Sequence, residues 1–249
     1  MSTNIKTPEE IEYMRHSAKI LAKTLEETSK IAKAGMSTLE LDEFAEKFIR
    51  ANGGIPAFKG FNGFKHTLCL AVNEEIVHGI PKKNKILKDG DLLTIDGGVI
   101  YKGMYSDAAR SIGIGKIDEQ KTRLIKTAYH ALYSALDIIK PGLHLNEIGK
   151  LIQKIVEKEG FNIVKELTGH GIGRKLHESP TVINYWDGNS GPTLKEGMCL
   201  AIEPIFAAGS GKMKCLSDGW TLVTVDGSAA VQVENTILIT QNGCEILTE

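Results

Sequence analysis

Apolar residues recur at helical spacing over 8–34, where Ile11, Met14, Ala18, Leu21 and Leu25 share one face behind a Thr7-Pro8 start. Leu41, Phe44, Ala45, Phe48 and Ile49 repeat that pattern over 38–51, and the spacing predicts further helices over 118–139 and 145–159. Between and after them, apolar runs bounded by turn residues predict strands near 68–77, 91–100, 105–114, 163–168, 198–206, 219–225 and 230–240. A turn at Tyr101-Lys102-Gly103 pairs 91–100 with 105–114 as a hairpin, with Asp96 and Asp107 opposite one another. A second turn, Asp226-Gly227, is expected to fold 219–225 onto 230–240 and to set Trp220 beside Val233 and Glu234.

The pattern repeats at an offset of 107 residues. Ile31, Lys33, Gly35, Glu40, Lys47 and Gly53 recur as Ile138, Lys140, Gly142, Glu147, Lys154 and Gly160. Lys88-Asp89-Gly90 recurs as Lys195-Glu196-Gly197, and Leu93, Ile95 and Asp96 recur as Leu200, Ile202 and Glu203. One domain, 1–249, is therefore expected, with related halves of about 8–115 and 116–240. Each half pairs helices with antiparallel strands, so the fold class is α+β.

A chain of 249 residues with 42% hydrophobic content can bury a substantial core. The net charge of −1 leaves no footprint for nucleic acid or an acidic membrane. Cys69, Cys199, Cys215 and Cys244 show no CxxC spacing, which favours reduced thiols in a cytoplasmic protein over a disulfide or zinc framework. The polar stretch Met1 to Glu12 is no signal peptide, and no apolar run approaches membrane-spanning length.

Five residues change this picture. Asp96, Asp107, Glu203 and Glu234 stand in or beside apolar, strand-like runs, where an unpaired carboxylate is costly to bury. Arg and Lys are absent from matching positions beside them. His170 lies in Thr168-Gly169-His170-Gly171-Ile172-Gly173, whose glycines leave room for a metal or substrate. Taken singly, an Asp at a strand end is a turn or cap residue and a His between glycines is a loop hydrogen-bonder. Four carboxylates and one imidazole together form a ligand set for a pair of divalent metals.

The runs Asn73-Glu74-Glu75-Ile76-Val77-His78-Gly79-Ile80-Pro81, Thr168 to Gly173, His177-Glu178-Ser179-Pro180, Ala201-Ile202-Glu203-Pro204, Gly219-Trp220-Thr221 and Glu234-Asn235-Thr236 resemble type I methionine aminopeptidase in its short bacterial form. The resemblance covers nearly the whole chain. It implies the pita-bread fold, with two pseudo-symmetric halves, and removal of an initiator methionine before a small second residue. It implies two divalent ions (Co, Mn, Fe or Zn), with Asp96 on one, Asp107 and Glu234 bridging, and His170 and Glu203 completing the second. Glu203 would serve as proton acceptor, and His78 and His177 as substrate-binding and catalytic histidines. Cys69, Phe61, Phe64, Trp220 and Leu176 would form the methionine pocket.

Four residues depart from the usual family pattern: Tyr105-Ser106 for His-Gly, Asn235 for His, and Leu176 for Phe. They bear on tuning and pocket shape, since every ligand persists. The rival readings are a prolidase or aminopeptidase P on the same fold, and a non-catalytic binding module. His16, His66, His130 and His144 are read as surface residues, and Lys82-Lys83-Asn84-Lys85 as a solvated loop with a ribosome contact as its alternative use. The expected partners are N-terminal Met peptides of nascent chains, and the expected state is monomeric. Because Met1 precedes Ser2, the chain itself is an expected substrate.

Overall fold

A computed structural model describes residues 5–249, so Met1-Ser2, the expected self-processing point, lies outside the described residues. Helix α1 (Pro8–Ile31) begins at a capping box in which Thr7 and Glu10 each accept the other's backbone N–H. Ser37 and Glu40 do the same for α2 (Thr38–Ala51). Helix α1 ends at Ile31, short of the expected residue 34, because Ala32 is already extended and Gly35 turns the chain at φ 91°. Helices α3 (Glu119–Ile138) and α4 (Asn146–Lys158) open the second half.

The strands are β1 (Ile55–Pro56), β2 (Leu68–Val72), β3 (Glu75–Val77), β4 (Leu92–Tyr101), β5 (Met104–Gly113), β6 (Asn162–Ile163), β7 (Gly169–Gly171) and β8 (Glu178–Val182). They continue with β9 (Cys199–Ile202), β10 (Ile205–Ala207), β11 (Met213–Cys215), β12 (Leu222–Thr224), β13 (Ala230–Gln232), β14 (Asn235–Ile239) and β15 (Cys244–Ile246). In the first half β4 carries β5 on one edge and β2 and β1 end to end on the other, all antiparallel. In the second half the order is β15-β14-β9-β7-β8. Two short sheets, β13-β10-β6 and β11-β12-β3, complete the set among the described residues.

Backbone hydrogen bonds repeat at the sequence offset. Gly35 N–H donates to Leu87 O at 2.9 Å and Gly142 N–H to Leu194 O at 3.0 Å. Thr38 N–H to Lys85 O recurs as Leu145 N–H to Pro192 O, both at 2.9 Å. Leu21, Leu25, Leu41 and Ile49 pack on Leu70, Ile95 and Val99 in one core. Leu132, Ile148, Ile152 and Phe206 pack with Leu200, Ile202 and Ile237 in the other. A third cluster, including Met14, Phe64, Cys69, Ile172, Leu176 and Cys199, joins the halves and floors the site.

Several expectations are corrected. The 68–77 run is two strands, split where Asn73 takes a left-handed turn at φ 55°. Pro204, lacking an N–H, divides 198–206 into β9 and β10, which enter different sheets. The 230–240 run also breaks, at Val233-Glu234. Of 163–168 only Ile163 is strand. Most important, 219–225 does not fold onto 230–240. Strand β12 pairs with β11 and β3, so the turn at Asp226-Gly227 passes the chain between sheets. Trp220 consequently packs on Phe64 and His78, with ring centroids at 5.0 and 6.4 Å, and not beside Val233.

Candidate active site

Asp96 on β4 pairs across the ladder with Ala109 and Cys69, whereas Asp107 on β5 stands opposite Gly98. The two carboxylates are therefore diagonal, not directly opposite, because the hairpin register is centred between Lys102 and Gly103. Positions 96 and 98 share a face of β4, so both acids still point the same way. His170 is on strand β7, opposite Thr181 and Ala201. Its glycine neighbours serve the sheet: an added Cβ at Gly169 meets Ala201 O at 2.3 Å, and at Gly171 it meets Ser179 O at 2.3 Å. Glu203 follows β9 directly. Glu234 sits between β13 and β14, where its backbone exchanges hydrogen bonds with Ala109 of the other half, at 3.0 and 3.3 Å.

These elements bring the five residues together. Donor atoms of Asp96, Asp107 and Glu234 lie within 4.8 Å of one another, as do those of His170, Glu203 and Glu234. His170 Nε2 is 3.8 Å from Asp107 Oδ2 and 3.7 Å from Glu203 Oε1. Its Nδ1 lies 2.9 Å from Gly171 O, which holds the ring with Nε2 toward the carboxylates.

The cluster fits a cation. Among the described residues none of the four carboxylates forms an ion pair with Lys or Arg, and Asp96 Oδ1, Asp107 Oδ1 and Glu234 Oε1 are buried without a hydrogen-bond partner. Burial pushes the Asp96 carboxyl up to about 7. Asp107, Glu203 and Glu234 are also raised, by burial first and then by neighbouring acids. Burial drives the His170 imidazole down to about 4, leaving it neutral and able to ligate. Such a set is costly alone and stable around positive charge. Arg110 makes no ion pair with these carboxylates, although its charge offsets a small part of the rise at Glu234; it donates to the Glu234 carbonyl, Asn235 Oδ1 and the Thr248 carbonyl.

A cavity of about 630 Å³ opens beside the cluster, and every predicted site residue lines it. Phe64, Cys69 and Leu176 are buried walls, while Phe61 stands at the rim, 36% exposed, against the His177 ring at 5.4 Å. His177 also meets the His170 ring, at 4.4 Å. His78 has φ 58°, an uncommon backbone state for a residue with a side chain, and burial lowers its pKa. Burial lowers that of His177 as well.

Sequence reasoning missed Gln232, whose Nε2 is 3.2 Å from Glu203 Oε2 and 3.3 Å from Glu234 Oε2. Its signal was available: a polar residue two positions before Glu234 in an apolar run shares its face. Phe58, also on the wall, was missed. Of the departures, Ser106 turns to Ser17 on α1 at 2.8 Å, and the Tyr105 N–H holds Gly173 O at 2.7 Å. His66, expected at the surface, is half-buried beside Asp42 at 3.3 Å. Lys85 is likewise half-buried, bonded to Glu75 at 2.7 Å, so that run is only partly a solvated loop.

A fold of two related helix-and-sheet halves around a carboxylate–imidazole cluster defines a class of metallopeptidase, and residues 12–241 match the model of metallopeptidase family M24. Methionine aminopeptidase 1 of Bacillus subtilis is 47% identical over 243 residues, covering 98% of each chain. The crystal structure of methionine aminopeptidase from Thermotoga maritima superposes with a TM-score of 0.98 at 42% identity, covering both chains fully. A prolidase from Pyrococcus furiosus shares the fold at TM-score 0.81 and 27% identity, but this chain covers 65% of that one. The chain belongs to metallopeptidase family M24, with the pita-bread fold, and within it to the methionine aminopeptidases.

Proposed function

We propose that this protein removes the N-terminal methionine from nascent proteins and peptides whose second residue is small. The observation that carries the reading is the junction of two features in one cavity. A buried carboxylate–histidine cluster adjoins an apolar slot walled by Phe64, Cys69, Leu176 and Trp220. A thioether side chain suits such a soft, partly aromatic slot. The whole chain, with its two related halves, forms the catalytic unit, acting as a cytoplasmic monomer.

Asp96, Asp107, His170, Glu203 and Glu234 would hold two divalent ions. When bound, such ions acidify water toward neutrality and polarise a carbonyl. Glu203 accepts the proton of the attacking water and returns it to the leaving amine. Gln232 orients the Glu203 carboxylate through its amide N–H. His177, kept neutral by burial, donates an N–H to the developing oxyanion, a contribution of about 3–4 kcal/mol for one well-placed donor. His78, braced near Trp220, positions the nitrogen of the second residue.

The test is cleavage of Met-Ala-Ser beside Xaa-Pro peptides, with metal content measured on the same sample. Methionine release with little Xaa-Pro hydrolysis supports the reading. Preferred Xaa-Pro cleavage would assign a prolidase-like activity, and loss of metal binding with no cleavage would assign a binding module.

A further inference from the structure

The loop carrying Leu176 and His177 is fastened from a distance, by the segment leading into α1. Lys6 reaches beneath it and places Nζ 2.9 Å from Glu178 Oε2, with the two side chains only 1% and 3% exposed. The other oxygen of Glu178 accepts the Lys175 N–H at 3.0 Å, closing the loop on itself. The Lys6 stem crosses the face of Gly173 so closely that an added Cβ there would lie 2.0 Å from Lys6 Cε. Lys6 is held in turn by its own backbone, whose N–H donates to Gly197 O at 3.0 Å. On the outer side Arg174 grips the Glu10 carboxylate with two nitrogens, at 2.5 and 2.6 Å. The last glycine of the Gly169–Gly173 run thus makes room for a lysine rather than for a ligand.

We infer that Lys6 is a positioning residue for His177, acting through Glu178. This rests on the proposed role of His177 toward the substrate carbonyl. A buried carboxylate whose cation is removed either takes up a proton or leaves its site, and either change removes the ion pair that anchors residue 178 next to His177. A ring that must meet an oxyanion tolerates little displacement: a misplacement of about 1 Å costs on the order of 100-fold in rate. Asp96, Asp107 and Glu234 are held by the β4–β5 hairpin and the bridge to Ala109, away from this contact, whereas His170 lies on β7, next to Gly171, which pairs with Glu178.

The experiment is a cycle of Lys6→Met, His177→Ala and the double variant. It reads kcat and KM on Met-Ala-Ser, Mn²⁺ affinity by calorimetry, and folding by thermal melt. Lys6→Met should lower kcat about 10-fold or more, with smaller changes in KM, through the Leu176 wall, and in Mn²⁺ affinity. In the His177→Ala background it should cost less than about two-fold, because the ring it positions is gone. Equal losses in both backgrounds, or none in either, would overturn the inference. If His177→Ala alone leaves kcat intact, the catalytic reading of His177 fails, and this inference with it. Should Lys6→Met not fold, Glu178→Gln keeps an acceptor for the Lys175 N–H while shedding the charge, and the same cycle applies.

Discussion

Asp96 and Asp107 face the cavity from one side of a single hairpin, two register steps apart, so that neither is the direct cross-strand partner of the other. The diagonal leaves a gap between the carboxylates into which Glu234 brings a third oxygen from the second half, all within 4.8 Å. The charge these groups accumulate sets the first prediction.

The folded-state pKa of Asp96 stands at about 7, and those of Asp107, Glu203 and Glu234 are also raised. Their unfolded values are near ~4. A carboxyl with a raised folded pKa holds its proton more tightly when folded, so its stabilising effect fades as pH rises toward the folded value. Metal-stripped protein should therefore melt higher near pH ~6.5 than near pH ~8, a window above the range in which the lowered pKa values of His78, His170 and His177 act in the opposite direction. Saturating Mn²⁺ should abolish or reverse that order, because ligation needs the ionised forms. Calorimetric melts at both pH values check it; a metal-free Tm that climbs with pH would contradict it.

Arg110 concerns the backbone of the site. Its guanidinium joins the Glu234 carbonyl, Asn235 Oδ1 and the Thr248 carbonyl, and the Thr248 hydroxyl donates to the same Asn235 oxygen at 2.9 Å. Asn235, the first residue of β14, thus ties the C-terminal segment to the backbone next to Glu234. Arg110→Leu should cost on the order of 1–3 kcal/mol in stability, for acceptors left unpaired. It should also weaken Mn²⁺ binding by about 10–100-fold. Unchanged calorimetric affinity would show that Glu234 holds its place without this support.

Phe64 and Trp220 meet edge to face at 5.0 Å, on segments far apart in sequence. Phe64→Leu keeps most of the volume, so stability should fall by less than about 1.5 kcal/mol. The wall loses its aromatic edge, and KM for Met-Ala-Ser should rise several-fold while kcat changes little. Steady-state kinetics decide the matter, and a kcat loss at constant KM would move Phe64 out of the pocket and into the chemistry.

Helices were legible because their signals are local: Thr7-Pro8 marks the start of α1 as the structure has it. The β4–β5 hairpin was legible for the same reason, apart from its register, which depends on how the turn is built. Sheet membership was not. Nothing near β12 announces that its partners are β3, far upstream, and β11, since long-range pairing is decided by how surfaces fit in the whole fold. Strand β7 escaped notice because Gly-His-Gly has no apolar alternation, and β8 because Ser179-Pro180 reads as a turn. The site itself was readable because buried carboxylates are conspicuous in apolar runs. Gln232 was overlooked because an uncharged amide in such a run is less so.

A metal-dependent peptidase with Glu203 as proton acceptor has to lose activity both without metal and without that carboxylate. The most direct measurement is methionine release from Met-Ala-Ser by metal-stripped protein, with Mn²⁺, Co²⁺, Fe²⁺ or Zn²⁺ restored, beside Glu203→Gln under the same conditions. Release should return with metal and fall by about 10²–10⁴-fold in the variant. Release without metal, or full activity in Glu203→Gln, would contradict the account.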